Sequence, residues 1–368
     1  MQGIDSGARV AAMAQRARER GVDGVLITPG PDLRYAIGYD AIPLERLTCL
    51  VVRASEDCAL VVPRLELLAA QASPAGQAGI EILTWGEGDD PYALVASLLP
   101  AMATVALDNH MWAEKVLRLR EAMPGATQTL AGPVISSLRM RKDESERAAL
   151  LAAGAAIDSV HALVPQFLRA GRSERDVGAD ISDAILQAGH AVVDFVIVAS
   201  GPNSASPHHE VSDRIITEGD AVVVDIGGTM PSGYCSDSTR TYAIGDPGTE
   251  FLAAYAVLQE AQAAAVRFAR AGVSCEDIDA AARNVLVEAG LGDLFIHRTG
   301  HGIGLETHED PYIVAGNDLV VESGMAFSIE PGFYLEGRFG ARIEDIVIAT
   351  DDGVLVANTR PRHLVVIP

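Results

Sequence analysis

The chain has 368 residues, of which 49% are hydrophobic and 21% charged, and its formal net charge at pH 7 is −22. That length predicts two domains, each large enough to fold without disulfides or structural metals, and the composition argues against a disordered or fibrous chain. The acidic balance argues against nucleic acid or an anionic membrane as a partner, because both require a basic face.

The first residues alternate small apolar side chains with Arg and Glu, which predicts a helix over 8–20 and no signal peptide. Apolar runs at 24–27, 49–53, 59–62, 80–83 and 105–107 read as strands, and helical periodicity over 92–99 and 113–122 separates the later ones. This is the pattern of an α/β domain. The segment TPGPDLRY, rich in Pro and Gly, reads as a turn that closes the first strand. The pattern breaks at AGPVISSLRMRKDESE, and the domains are placed at 1–135 and 136–368. Asp143 and Glu146 form a capping-box pair that opens a long Ala/Leu helix reaching about residue 169. Further helices are predicted over 174–188, 250–271 and 276–289. Strands are predicted over 195–199, 221–227, 238–244, 325–330 and 342–350. Strands grouped apart from helices predict an α+β domain built on an antiparallel sheet. No apolar run of the roughly 18 residues needed for a membrane span is read, so a cytoplasmic location is expected. Four cysteines without a CxxC pair are expected to be reduced and mostly buried, Cys235 included.

Carboxylates then recur where apolar strands end. In VVVDIGGTMPSGYCSDSTRTY, Asp225 closes a run of valines and Asp237 follows across a Gly/Pro/Ser turn that suits a hairpin. Read alone, the segment fits turn or capping aspartates equally well. Antiparallel pairing would bring the two carboxylates together, which a cation between them would make tolerable. RTGHGIGLETHED places His301 among Gly300, Gly302 and Gly304, with His297 and His308 close by. FSIEPGFY ends a strand in Glu330, and GARIEDIVI sets Glu344 between isoleucines, where Arg342 on the same strand can balance its charge only in part. Two Asp, two Glu and one His form an oxygen-rich set suited to hard or borderline divalent ions, manganese first, with cobalt, iron or zinc open. Four carboxylates exceed the needs of one ion, so a pair is expected.

These motifs resemble the pita-bread metallopeptidases: methionine aminopeptidase, aminopeptidase P, prolidase and their metal-free relative creatinase. The resemblance covers about residues 140–368 through DIGGTMPSGYCSDSTRT, HRTGHGIGLETHE, FSIEPGFY and ARIED. More weakly, LITPGPDLRYAIGY is similar to the N-terminal domain of the creatinase and prolidase branch. The implied fold is an α+β pita-bread catalytic domain preceded by a smaller α/β domain. The resemblance implies that Asp225 chelates one metal, that Asp237 and Glu344 bridge both, and that His301 and Glu330 complete the second. It further implies that His208, in NSASPHHE, hydrogen-bonds the scissile carbonyl or the oxyanion and that His308 holds the leaving proline side. His297 lines the same pocket, and Tyr334 and Arg342 orient the metal carboxylates. His209 is read as a plain surface histidine. The implied reaction is attack by a metal-bridging hydroxide on the carbonyl before proline, with Glu330 relaying the proton. The expected activity is that of an Xaa-Pro dipeptidase acting on small peptides, with aminopeptidase P as the alternative. A non-catalytic pita-bread binding protein is disfavoured because all five ligands stand. The N-terminal domain, as in that branch, implies a homodimer. One departure stands out: some prolidases carry an Arg shortly after the HE of the histidine motif, where it could hold the substrate carboxylate, and this chain has Tyr312 in EDPYIV. Arg298 and Arg338 are the candidates to replace it, and acceptance of longer peptides is the alternative.

Overall fold

Residues 5–368 are described by a computed structural model, which separates between Arg139 and Met140 into two units. The first four residues of the predicted N-terminal domain lie outside the described residues.

In the first unit the apolar runs become β1 (Gly24–Ile27), β2 (Cys49–Arg53), β3 (Cys58–Pro63), β4 (Glu81–Trp85) and β5 (Thr104–Leu107). With β6 (Thr127–Leu130) they form one mixed sheet in the order β4-β3-β2-β1-β5-β6. Leu26, Val51, Val61 and Val105 pack with Leu119 of a covering helix, and this apolar face holds the sheet. The α/β reading therefore stands. The segment read as a turn and the one read as a break in the pattern are helices, Pro31–Ile37 and Gly132–Arg139, each with its proline in the first turn. There the missing N–H leaves no hydrogen bond unmade, so proline starts a helix instead of breaking one. β6 is an edge strand of sequence TQTL with mostly exposed side chains, and it has no apolar run by which it could be read.

The second unit contains a four-stranded sheet of order β17-β9-β8-β7, made of β7 (Val192–Ser200), β8 (Ala221–Thr229), β9 (Cys235–Ile244) and β17 (Val365–Ile367). A five-stranded sheet has the order β11-β10-β12-β15-β16, from β10 (Gly300–Gly302), β11 (Glu309–Ile313), β12 (Ala326–Ile329), β15 (Asp345–Ala349) and β16 (Val354–Val356). β13 (Gly332–Leu335) and β14 (Phe339–Arg342) make a two-stranded ribbon. All pairings are antiparallel except that of β17 with β9.

The helices Glu144–Phe167 and Glu174–Gln187 pack Ile157, Val160, Val164, Val177, Ile181 and Ile185 on Val222, Val224 and Ile226 of β8. Thr249–Phe268 and Cys275–Glu288 pack Ala265, Ile278 and Ala282 on Phe327 of β12 and Val347 of β15. Because side chains alternate along a strand, Asp225 and the β12 residues Ala326 and Ser328 face away from these helices. The Asp143–Glu146 capping box is formed as read. The helix it opens, Glu144–Phe167, is long and apolar enough to cross a membrane by composition, which the sequence reading overlooked. Its apolar side is nonetheless occupied by the sheet, with Ile157, Val160 and Val164 fully buried.

Candidate metal centre

Asp225 lies in β8 and Asp237 in β9. The register pairs Asp225 with Thr239 and Gly227 with Asp237, so the two aspartates are diagonal neighbours on one face of the hairpin. His301 is the middle residue of β10, and its N–H donates to the Ser328 hydroxyl at 2.9 Å. A Cβ on Gly300 would stand 1.9 Å from the Ser328 carbonyl oxygen, and one on Gly302 would stand 2.2 Å from that of Asp310. Glycine alone lets the neighbouring backbones close on the histidine from both sides. Glu330 immediately follows β12. Glu344 does not sit inside a strand as expected, because β14 ends at Arg342 and β15 begins at Asp345. It occupies the break, where its backbone N–H donates to the Thr239 carbonyl at 3.1 Å and its carboxylate accepts from the Thr239 hydroxyl at 2.8 Å.

These five side chains converge. One ligand atom from each of Asp225, Asp237 and Glu344 lies within 4.8 Å of the others, and the same holds for His301, Glu330 and Glu344 and for Asp237, His301 and His308. Glu344 and Asp237 each belong to two of these groups. Burial raises the carboxyls of Asp237 and Glu344 well above their ordinary range, and neighbouring carboxylates add to the shift. Asp225 Oδ1 is buried with no hydrogen-bond partner. The His301 Nδ1 donates to the Gly302 carbonyl at 3.1 Å, which leaves Nε2 facing Glu330 Oε1 at 3.2 Å and Asp237 Oδ2 at 3.7 Å. A ring nitrogen set against two carboxylate oxygens is placed to share a positive charge with them. Each of these features fits divalent cations.

Arg342 balances Glu344 only in part: its charge lowers the Glu344 carboxyl but does not overcome burial, and its hydrogen bonds go elsewhere. Its guanidinium, 2% exposed, donates to Asp225 Oδ2 at 2.7 Å, to the Tyr334 hydroxyl at 2.7 Å and to the Pro207 carbonyl at 3.2 Å. Burial pushes the Tyr334 phenol up to about 12, so it keeps its proton and donates to His297 Nε2 at 2.9 Å. A line of contacts thus runs from His297 through Tyr334 and Arg342 to Asp225.

The carboxylates and His301 floor a cavity of about 820 Å³. His208, His297, Arg298, His308 and Arg342 line it, with Phe195 and Ile197 of β7 as an apolar wall. The His308 ring lies 3.9 Å from that of His301. Tyr334 is not among the lining residues and meets the cavity through His297 and Arg342. Tyr312 does not line it either, and the Arg298 guanidinium rests 4.4 Å from the centre of the Tyr312 ring. Arg338 takes no part, being exposed and paired with Glu250 at 2.7 Å. His209 is not the plain surface residue expected, since its Nε2 donates to the buried Glu174 carboxylate at 2.8 Å.

Residues 148–351 match metallopeptidase family M24, and residues 9–141 match the creatinase/prolidase N-terminal domain. The chain belongs to metallopeptidase family M24. It is a hydrolase of the pita-bread fold, and the family implies divalent metal ions. A probable dipeptidase PepE of Mycobacterium tuberculosis is 55% identical over 361 residues, spanning 98% of this chain and 96% of the relative. An Xaa-Pro dipeptidase of Lactobacillus helveticus is 36% identical over 347 residues, 91% of this chain and 92% of the relative. The crystal structure of dipeptidase PepE from Mycobacterium ulcerans superposes with a TM-score of 0.96 at 53% identity, covering 99% of both chains.

Sequence reasoning missed several residues at the centre of this M24 chain. Thr239 holds Glu344, and its only signal is a hydroxyl two residues after Asp237 on the same strand face. Phe195 and Ile197 read as ordinary strand residues, although the pairing of Ile197 with Asp225 sets them beside the carboxylate cluster. Glu174 lies in a helix that reads as unremarkable, and nothing local marks it.

Proposed function

We propose that the chain is an Xaa-Pro dipeptidase that holds two divalent cations, manganese first among the candidates, on Asp225, Asp237, His301, Glu330 and Glu344. The observation that carries this reading is the convergence of four carboxylates and one imidazole at the floor of a cavity with only one buried guanidinium among them. When bound, the cations supply Lewis acidity and make water a nucleophile near neutral pH. The side chains divide the remaining work. Arg342 fixes the Asp225 carboxylate, with Tyr334 and His297 holding the guanidinium from behind. His208 donates to the substrate carbonyl oxygen and stabilises the negative charge that develops there. Glu330 takes the proton from the attacking water and passes it to the leaving nitrogen. Proline needs such a site because its tertiary amide offers no N–H to grip, so recognition falls on the ring. Phe195, Ile197 and His308, which all line the cavity, supply apolar and flat surfaces of the right kind.

Arg298 is assigned to the substrate carboxylate in place of the arginine absent at Tyr312. It lines the cavity on the Tyr312 ring, whereas Arg342 is engaged by Asp225 and Arg338 by Glu250. A contact to the carboxylate of a terminal proline favours dipeptides over the longer peptides of an aminopeptidase P. Activity on Xaa-Pro dipeptides beside an Xaa-Pro-Yaa tripeptide, with added manganese, tests the assignment directly. Arg298→Ala should raise KM for Xaa-Pro about 10- to 100-fold, the value of one charge-assisted hydrogen bond, and leave KM for the corresponding Xaa-Pro amide nearly unchanged. Equal losses on both substrates would remove Arg298 from this role.

The protein is further read as a cytoplasmic homodimer. In the first unit a groove of about 230 Å³ is lined by Tyr39, Ile42, Leu44 and Leu65, and Ile42 and Leu65 are 75% and 61% exposed. Apolar surface of that kind favours a partner. Light scattering is expected to give twice 38.7 kDa. A monomer at working concentration with full activity would refute the dimer.

A further inference from the structure

The segment 200–212 follows β7 and carries Pro207 and His208 onto the cavity wall. One buried carboxylate, that of Glu174, ties this segment along its whole length. It accepts from the Ser200 N–H at 2.8 Å and the Ser200 hydroxyl at 2.7 Å, and from the Asn203 amide at 3.0 and 3.1 Å. It also accepts from His209 Nε2 at 2.8 Å, the Ser212 hydroxyl at 2.6 Å and the Ser212 N–H at 3.3 Å. Glu174 is 0% exposed and does not line the cavity. Burial works against its ionisation, but the donors from Ser212, Ser200 and His209 outweigh it and hold the carboxyl below its ordinary value. A fully buried carboxylate is costly where only packing is required, so this one needs a reason.

Its surroundings supply one. His208 lies between two fixed points: the Pro207 carbonyl, which accepts from Arg342 at 3.2 Å, and the His209 ring, held by Glu174. Arg342 in turn holds Asp225. We propose that Glu174 is a positioning residue for the reaction, which acts through His209 and the segment 200–212 to hold His208 in register with the metal carboxylates. The two adjacent histidines then have separate tasks, His209 as anchor and His208 as the group that meets substrate.

This rests on the reading of His208 given above, and the experiment separates the two. E174Q and H209A are made in the full-length, metal-loaded enzyme, alone and in the H208A background, and kcat, KM, metal content and melting temperature are measured. E174Q should lower kcat about tenfold with KM changed less than twofold and metal content intact, as expected when a reacting group is displaced without being removed. In the H208A background the same change should cost less than about twofold further, because residues that act as a unit are not additive. H209A removes a single link of the hub and serves where E174Q does not fold, with the same pattern expected. Losses that multiply in the double variants, or a lowered melting temperature with unchanged kcat, would overturn the inference and leave the reading of His208 standing. A silent H208A would overturn both.

Discussion

Asp237→Asn is expected to abolish turnover, by at least about 10³-fold, while the chain still folds. The loss should exceed that for removal of one oxyanion donor, because a shared ligand positions everything around it. Asp237 is 3% exposed and groups with Asp225 and Glu344 on one side and with His301 and His308 on the other. Asparagine keeps the shape but removes the charge that a cation between those groups requires. The fold should tolerate it, since burial and neighbouring carboxylates already oppose a charge on Asp237 in the metal-free centre and the substitution removes that charge. Metal-free D237N is therefore expected to melt no lower than the metal-free parent. Saturating manganese should raise the melting temperature of the parent far more than that of the variant, as ligation of the native state alone demands. Activity of D237N within tenfold of the parent, or a full complement of bound metal, would refute the ligand assignment.

His208→Ala is expected to lower kcat by about 10² to 10³, the effect of losing one donor to a developing oxyanion. His208 is exposed on the cavity wall, so its removal leaves no cavity in a core and should not lower the melting temperature measurably. Metal content should remain that of the parent, which distinguishes this variant from D237N. A fall in kcat of less than threefold, with KM raised instead, would mean that His208 binds substrate without favouring the transition state. A larger loss in H209A than in H208A would exchange the roles of the two histidines.

The converging set was legible because a carboxylate at the end of an apolar strand is a local contradiction that a partner charge must resolve. Asp225 after three valines and Glu330 after FSI carry that signal within a few residues. The glycines around His301 were equally legible, and the 1.9 Å and 2.2 Å approaches at Gly300 and Gly302 supply their physical reason. What failed to show was everything set by long-range pairing. Arg342 was given a partial role in balancing Glu344, which it has, but the carboxylate it holds, Asp225, lies 117 residues earlier. His209 looked solvated because Glu174 is 35 residues away. Strands of three residues, such as β10 and β16, fall below any periodicity a sequence can display. The helices at Pro31 and Gly132 were hidden by prolines whose meaning depends on whether they begin an element or interrupt it.

The strict alternation in β8 makes that strand far more tolerant of replacement than of insertion. Val222, Val224 and Ile226 point toward the helices, and Asp225 points the other way with Val223 and Gly227. Any of the three core residues could change to another apolar side chain for about 1 kcal/mol. One residue added within residues 221–224 would rotate the downstream part of the strand by half a turn, driving Asp225 into the helix-packed layer and Val224 onto the ionic face. The hairpin to β9 would carry the error onward, since nine consecutive register pairs join the two strands. Length variation among homologous chains should therefore gather in the turns, and this strand should keep its spacing even where its side chains drift.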